Sequence, residues 1–259
     1  MILLRILFPG SCYFNAACLP QQVHLTPRKQ IIPRNHPKIT AMATNGDHSR
    51  VERYAVVTGA NKGIGLETVR QIASKGVTVV LTARDEKRGT DATCMLHNMG
   101  LTNVVFHQLD VLDPVSIESL AKFIKDRFGR LDILRIRGED LRNELGDLET
   151  LNEEKLDSIL KRFLKDLKEN TLEAGGWSLM LPAYSISKAT LNAYTRVLAK
   201  RHPNMLINCV HPGYVNTDIN WHTGPMPVEE GARGPVKCAL LPDGGPTGCY
   251  FDQTEVASF

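Results

Sequence analysis

From Tyr54 onward, short apolar runs alternate with longer stretches in which apolar positions recur every three or four residues, a pattern that predicts strand–helix–strand units on a parallel sheet. The first strand is expected at Tyr54 to Thr58, followed by a glycine-punctuated turn and a helix from about Ile64 to Lys75. Val77 to Thr82 and Val104 to Leu109 read as the second and third strands. Asp113 then supplies an N-cap and Pro114 the first helical position, with Ile117, Leu120, Ala121, Ile124 and Phe128 on one face and Gly129 as the stop. A fourth strand opens at Leu131 to Leu134.

After Leu134 the pattern breaks, because Arg135-Ile136-Arg137-Gly138-Glu139-Asp140 is too charged for a sheet buried on both faces. An amphipathic helix from about Glu153 to Asn170 follows, with Leu156, Ile159, Leu160, Phe163, Leu164 and Leu167 on one side. Regular order resumes with a helix at Tyr184 to Lys200, a strand at Leu206 to Val210, a helix near Val228 to Leu241 and a last strand around Cys249 to Phe251. No internal repeat or low-complexity tract interrupts it.

Residues 1–46 stand apart, with five prolines, five basic and no acidic residues, and are set outside the fold as a leader or extension, residues 47–259 forming the domain. The lack of acid suits an organellar transit peptide, such as a plastid one, and the apolar start equally suits a poor secretory signal. The alternative is that residues 1–41 come from an upstream start or a gene-model error, with a second start at Met42. A cytoplasmic address is the default expectation. The net charge of +3 belongs to this segment, and the remainder sums to −2. A near-neutral body has no electrostatic footprint for nucleic acid or an anionic membrane, and no apolar run approaches the roughly 18 residues of a membrane span. The six cysteines are widely spaced without a CxxC pair, so no metal site and a reducing compartment are expected, with Cys209 a buried thiol.

The candidate chemistry begins at Thr58-Gly59-Ala60-Asn61-Lys62-Gly63-Ile64-Gly65, between the first strand and first helix. Glycines there let the backbone turn tightly and approach a pyrophosphate, which the helix N-terminus favours. Past the second strand, Arg84 sits where a reader of the ribose 2′ position belongs; its guanidinium can pair with a 2′-phosphate, and Lys62 adds a second cation. NADP(H) is therefore expected over NAD(H), the alternative being that Asp85 merely neutralises Arg84. Asp110, before Val111 at the end of the third strand, can accept a hydrogen bond from adenine or serve as a turn residue.

The second motif is Tyr184-Ser185-Ile186-Ser187-Lys188, whose spacing puts the phenol and the ammonium on one helix face. A neighbouring cation favours the phenolate and lowers an ordinary tyrosine value near 10, so the phenol can hand a proton to a developing alkoxide.

These motifs in this order resemble the short-chain dehydrogenase/reductase family over residues 52–259, and more closely its plant carbonyl reductases of the menthone reductase, neomenthol dehydrogenase and salutaridine reductase group. The likeness extends through Asn208-Cys209-Val210-His211-Pro212-Gly213-Tyr214-Val215-Asn216-Thr217-Asp218. It implies a Rossmann-like, doubly wound α/β fold with Tyr184 as general acid and Lys188 orienting it and holding the nicotinamide ribose. It also implies that Gly59, Asn61, Lys62, Gly63, Ile64, Gly65, Arg84, Asp110, Val111, Pro212, Gly213, Val215 and Thr217 contact the cofactor. The helix at 153–170 resembles that group's insertion, which covers a pocket for a small hydrophobic carbonyl substrate and keeps the protein monomeric.

At one place the chain departs from the family. After Leu131-Asp132-Ile133-Leu134 the family continues into an Asn-Asn-Ala-Gly turn, a long helix and a central strand ending in a catalytic serine, and none of these is present. Only Ser158 and Ser178 lie between residue 135 and Tyr184. An internal segment is thus missing near 134–141, leaving a slot in mid-sheet whose unpaired backbone groups cost about 1–3 kcal/mol each if buried. The sheet must close, split or recruit a substitute such as residues 133–138. Two functions follow: a reductase of small hydrophobic, terpenoid-like ketones, or an NADP(H)-binding chain impaired in turnover.

Overall fold

The computed structural model describes residues 2–6, 52–136 and 151–258. Its strands are β1 (Ile2–Ile6), β2 (Tyr54–Val57), β3 (Thr78–Ala83), β4 (Val104–Gln108), β5 (Ile133–Ile136), β6 (Met205–His211), β7 (Tyr250–Asp252) and β8 (Glu255–Ala257). Its helices are α1 (Gly63–Ala73), α2 (Glu86–Asn98), α3 (Pro114–Phe128), α4 (Glu153–Lys168), α5 (Pro182–Arg201), α6 (Val228–Gly231) and α7 (Arg233–Ala239).

One eight-stranded sheet runs in the order β4-β3-β2-β5-β1-β6-β7-β8. The pairs β2–β3, β3–β4, β2–β5 and β6–β7 are parallel. Strand alternation splits the core between two faces. Ala55, Val57, Val79, Leu81 and Ile133 pack with Val69 and Ile72 of α1 and Leu96 of α2, while Val56 and Val80 turn the other way onto Leu120 and Ile124 of α3. A third cluster joins Leu156, Ile159 and Phe163 of α4 to Ile186, Ala189, Ala193 and Val197 of α5.

The expected caps form. Asp113 accepts from the Val115 amide at 3.0 Å at the start of α3, and Gly129 ends that helix in the left-handed region at φ 72°. Helix α2 has no counterpart among the sequence expectations, since the positions it buries are Gly89, Ala92, Thr93 and Leu96. They keep the helical period with small residues, and Gly89 is required because a Cβ there would lie 2.0 Å from the Phe106 ring. The helix expected at Val228 to Leu241 is two short ones, with Gly231 against the Val215 side chain and Gly234 against the Gln253 backbone. Cys209 is fully buried, as its strand position predicts. Burial pushes the Cys238 thiol up to about 12, which keeps it from reacting as a thiolate.

The slot is filled in an unexpected way. Residues 133–136 do not move into it; they are the fourth strand itself, which starts and ends two residues later than Leu131 to Leu134. The substitute is β1, from the segment set outside the fold. It pairs antiparallel with β5 through Ile2–Arg5 and with β6 through Ile2–Ile6. A parallel strand there needs a long crossover, whereas an antiparallel one enters from the opposite end of the sheet. The rest of residues 1–46, and the junction after Ile136, lie outside the described residues.

Candidate functional site

The glycine turn leaves β2 through Thr58 and enters α1 at Gly63. Gly59 and Gly63 have φ of 60° and 58°, a conformation that L side chains seldom adopt. Gly65 serves a different need: a Cβ there would lie 2.7 Å from the Gly59 carbonyl oxygen and 2.9 Å from the Ala60 Cα, so only glycine lets the helix close on the turn. The Ala60 amide donates to the Thr82 carbonyl at 2.8 Å, tying the turn to the end of β3. Lys62 occupies the N-cap position in extended conformation, and no side chain caps α1. Helix-start amides without a side-chain cap, beside a turn free of side-chain bulk, are suited to a diphosphate.

One cavity borders this turn, and a second lies beside the end of β3. The larger, about 790 Å³, is lined by Lys62 and Gly63 of the turn, Glu67 and Arg70 of α1, and Asn216, Thr217, Asp218 and His222 of the loop after β6, among others. A Cβ on Gly63 would reach Thr217 Cγ2 at 3.6 Å, and Val215 packs with Ile64 and Ala232, so the Pro212–Thr217 segment lies directly against the turn. Gly213 bends it at φ 86°. Glu67 is buried in the groove wall; burial raises its carboxyl, but bonds from Arg70 at 2.6 and 2.7 Å and Gln71 at 2.8 Å outweigh that and hold it below its ordinary value.

The smaller cavity, about 500 Å³, brings Arg84 and Asp110 together with His107, Gln108, Asp113 and Ser116. Arg84 is exposed. Asp85 is engaged elsewhere, because its carboxylate caps α2 by accepting from the Arg88 amide at 2.9 Å and faces the Arg88 guanidinium at 3.7 Å. Asp110 accepts from the Leu112 amide at 3.0 Å, which is turn-forming use of the carboxylate. Val111 is exposed and Asn61 half-buried.

Tyr184 and Lys188 stand on α5, outside the lining of either cavity. The phenol is about half exposed, at 46%, and the Lys188 ammonium lies 5.2 Å from its ring centroid. Ser158 Oγ donates to the Lys155 carbonyl at 2.8 Å, and Ser178 Oγ accepts from the Met180 amide at 3.3 Å. Each has a local backbone partner.

Three groups of the expected residues are therefore brought together: Lys62 and Gly63 with Thr217, Arg84 with Asp110, and Tyr184 with Lys188. Lys62 does not share a cavity with Arg84; its ammonium is paired with Asp218. Asp218 takes no role from the sequence, since an exposed polar residue in a loop carries no periodic signal. Among the described residues no three His, Cys, Asp or Glu side chains converge as a metal site, and no helix is long and apolar enough to cross a membrane.

A profile for short chain dehydrogenase matches residues 53–164. Short-chain dehydrogenase/reductase 1 of Saponaria officinalis is 40% identical, covering 80% of this chain and 96% of the relative. (+)-Neomenthol dehydrogenase of Arabidopsis thaliana is 37% identical, covering 80% and 98% respectively. The solved structure of salutaridine reductase from Papaver somniferum superposes with a TM-score of 0.73 at 35% identity, covering 78% of this chain and 99% of that one. The first of these alignments spans 291 positions while drawing on 80% of a 259-residue chain, so the relative carries many positions with no counterpart here. The glycine turn, the Rossmann-like sheet and relatives matched over nearly their whole length establish that this chain belongs to the short-chain dehydrogenase/reductase family of oxidoreductases.

Proposed function

We propose that the chain is an NADP(H)-dependent reductase of carbonyl-reductase type, acting on a small apolar ketone of terpenoid kind. The observation that carries this reading is the Tyr184–Lys188 pair, a phenol with an ammonium 5.2 Å from its ring on one face of α5. Tyr184 Oη gives its proton to the carbonyl oxygen as that oxygen becomes an alkoxide, and Lys188 keeps the phenol oriented and electrostatically primed. The glycine turn and the start of α1 hold the dinucleotide's diphosphate, and Arg84, unclaimed by Asp85, takes the 2′-phosphate. NADP(H), when bound, supplies the hydride. A ketone substrate is supported by the relatives named for neomenthol and salutaridine.

A second reading is favoured by the mid-sheet slot. Among the described residues β1, and no serine-bearing strand, stands between β5 and β6, and on this reading the chain holds NADP(H) with little or no turnover. Purified chain mixed with NADPH and menthone, followed by loss of reduced-nicotinamide absorbance, separates the two. Turnover that disappears in Tyr184→Phe supports the reductase, whereas saturable nucleotide binding without turnover supports the second reading. Absence of both overturns the proposal. A cytoplasmic monomer is the form in which we propose it works.

A further inference from the structure

The larger groove contains an ion pair that the proposed reaction does not use. Lys62 Nζ, in the glycine turn, donates to Asp218 Oδ2 in the loop after β6. Asp218 Oδ1 lies 3.1 Å from His222 Nε2, and His222 Nδ1 lies 2.7 Å from Asn216 Oδ1. The loop is shaped to present this carboxylate. Asn220 accepts from the Thr217 amide at 3.2 Å and donates to the Val215 carbonyl at 2.8 Å. Trp221 and His222 follow in left-handed conformations, with φ of 50° and 60°, which non-glycine residues keep only when their surroundings hold them there.

The charges are well assigned. Lys62 holds the Asp218 carboxyl below its ordinary value, with a smaller contribution from His222, so the group is fully ionised at neutral pH. Glu67, in the same groove, is committed to Arg70 and Gln71. Asp218 is the one carboxylate paired with Lys62 among the described residues. Both partners are more than half exposed, at 58% and 55%, so the pair is weak and an incoming anion at the helix start can displace it.

We infer that Asp218 is a resident counter-ion of Lys62 which a phosphate group of the nucleotide must displace, making Asp218 a determinant of nucleotide affinity. Displacement also releases the tie between the glycine turn and the Asn216–His222 loop. The inference rests on the nucleotide-binding reading above and concerns how tightly, not whether, the nucleotide is held.

The test is calorimetric titration of the full chain with NADP+ and with NAD+, in wild type, Asp218→Asn, Lys62→Met and the double variant. Asp218→Asn is expected to tighten NADP+ about two- to fivefold, the equilibrium worth of an exposed ion pair. In the Lys62→Met background the same substitution should change nothing, because no cation remains to compete for. Tightening confined to NADP+ places Lys62 on the 2′-phosphate, and tightening of both nucleotides places it on the diphosphate; either supports the inference. Equal tightening with and without Lys62 means plain repulsion by Asp218 and overturns it, as does unchanged or weaker binding in Asp218→Asn. Wild type that binds neither nucleotide overturns this inference together with the nucleotide-binding reading, whereas wild type that binds while Asp218→Asn matches it overturns this inference alone.

Discussion

The sheet on the two sides of β5 is held together differently. On one side β2, β3 and β4 run parallel, helices cover both faces, and the glycine turn and Arg84 sit at the carboxyl ends of the strands, where ligands of open α/β sheets bind. On the other side the neighbour is antiparallel β1, recruited from the far N-terminus, and α5, packed on α4, carries Tyr184 and Lys188 with no serine-bearing strand beside them among the described residues. The contrast teaches that the residues proposed to hold the nucleotide and those proposed to turn over a substrate lie on different parts of the sheet, so that on the proposed reading a change beside β5 and β6 bears on the second set and spares the first.

The most severe way to break the comparison is to remove β1. A chain beginning at Met42 leaves β5 and β6 facing an empty slot, at about 1–3 kcal/mol for each buried backbone group without a partner. Over a five-residue strand this approaches the roughly 5–15 kcal/mol that stabilises a whole domain. Denaturant unfolding should register the loss, and amide exchange should locate it: protection falls in Met205–His211 and persists longer in Thr78–Ala83. Equal stability of the two chains would show that β1 contributes nothing.

Tyr184→Phe acts next most strongly and on one side only. Turnover should fall about 10²- to 10⁴-fold, the usual worth of a positioned general acid, with nucleotide affinity unchanged in the same sample. Gly65→Ala is the converse experiment. Its Cβ meets the Gly59 oxygen at 2.7 Å, so α1 must back away from the turn, costing about 1–3 kcal/mol of stability and weakening nucleotide binding, while the α4–α5 pair stays packed. Thermal unfolding and a titration check both halves of that expectation.

The smallest effect is on acid stability. Glu67 is held below its ordinary value of 4.5 by Arg70 and Gln71 despite burial that raises it. A depressed folded value means the contribution is fully present above 4.5 and is lost as pH falls through the lower folded value. Wild type should therefore lose more stability than Glu67→Gln between neutral pH and pH ~3, by less than about 1 kcal/mol because the guanidinium partner is partly exposed.

The strands β2, β3, β4 and β6 were legible because a sheet buried on both faces leaves apolar runs such as Ala55-Val56-Val57 and Met205 through Val210 in the sequence. Helix α2 was not, since close packing against Phe106 selects Gly89, Ala92 and Thr93 rather than large apolar residues. Strand β1 was equally hidden: five residues in a proline-rich context look like a leader, and only the vacancy between β5 and β6, a property of the rest of the chain, calls for a strand there. At the site, glycine spacing and the four-residue step from Tyr184 to Lys188 are local and were readable. The Lys62–Asp218 pair joins residues 156 positions apart and required the fold.

Titration of the intact chain with NADPH and NADH tests most directly whether the nucleotide side functions without the strand that the other side lacks. Saturable binding of both, with NADPH tighter by about tenfold or more as a charge-assisted contact from Arg84 implies, is the predicted result. No saturable binding of either nucleotide, or tighter binding of NADH, would contradict the account.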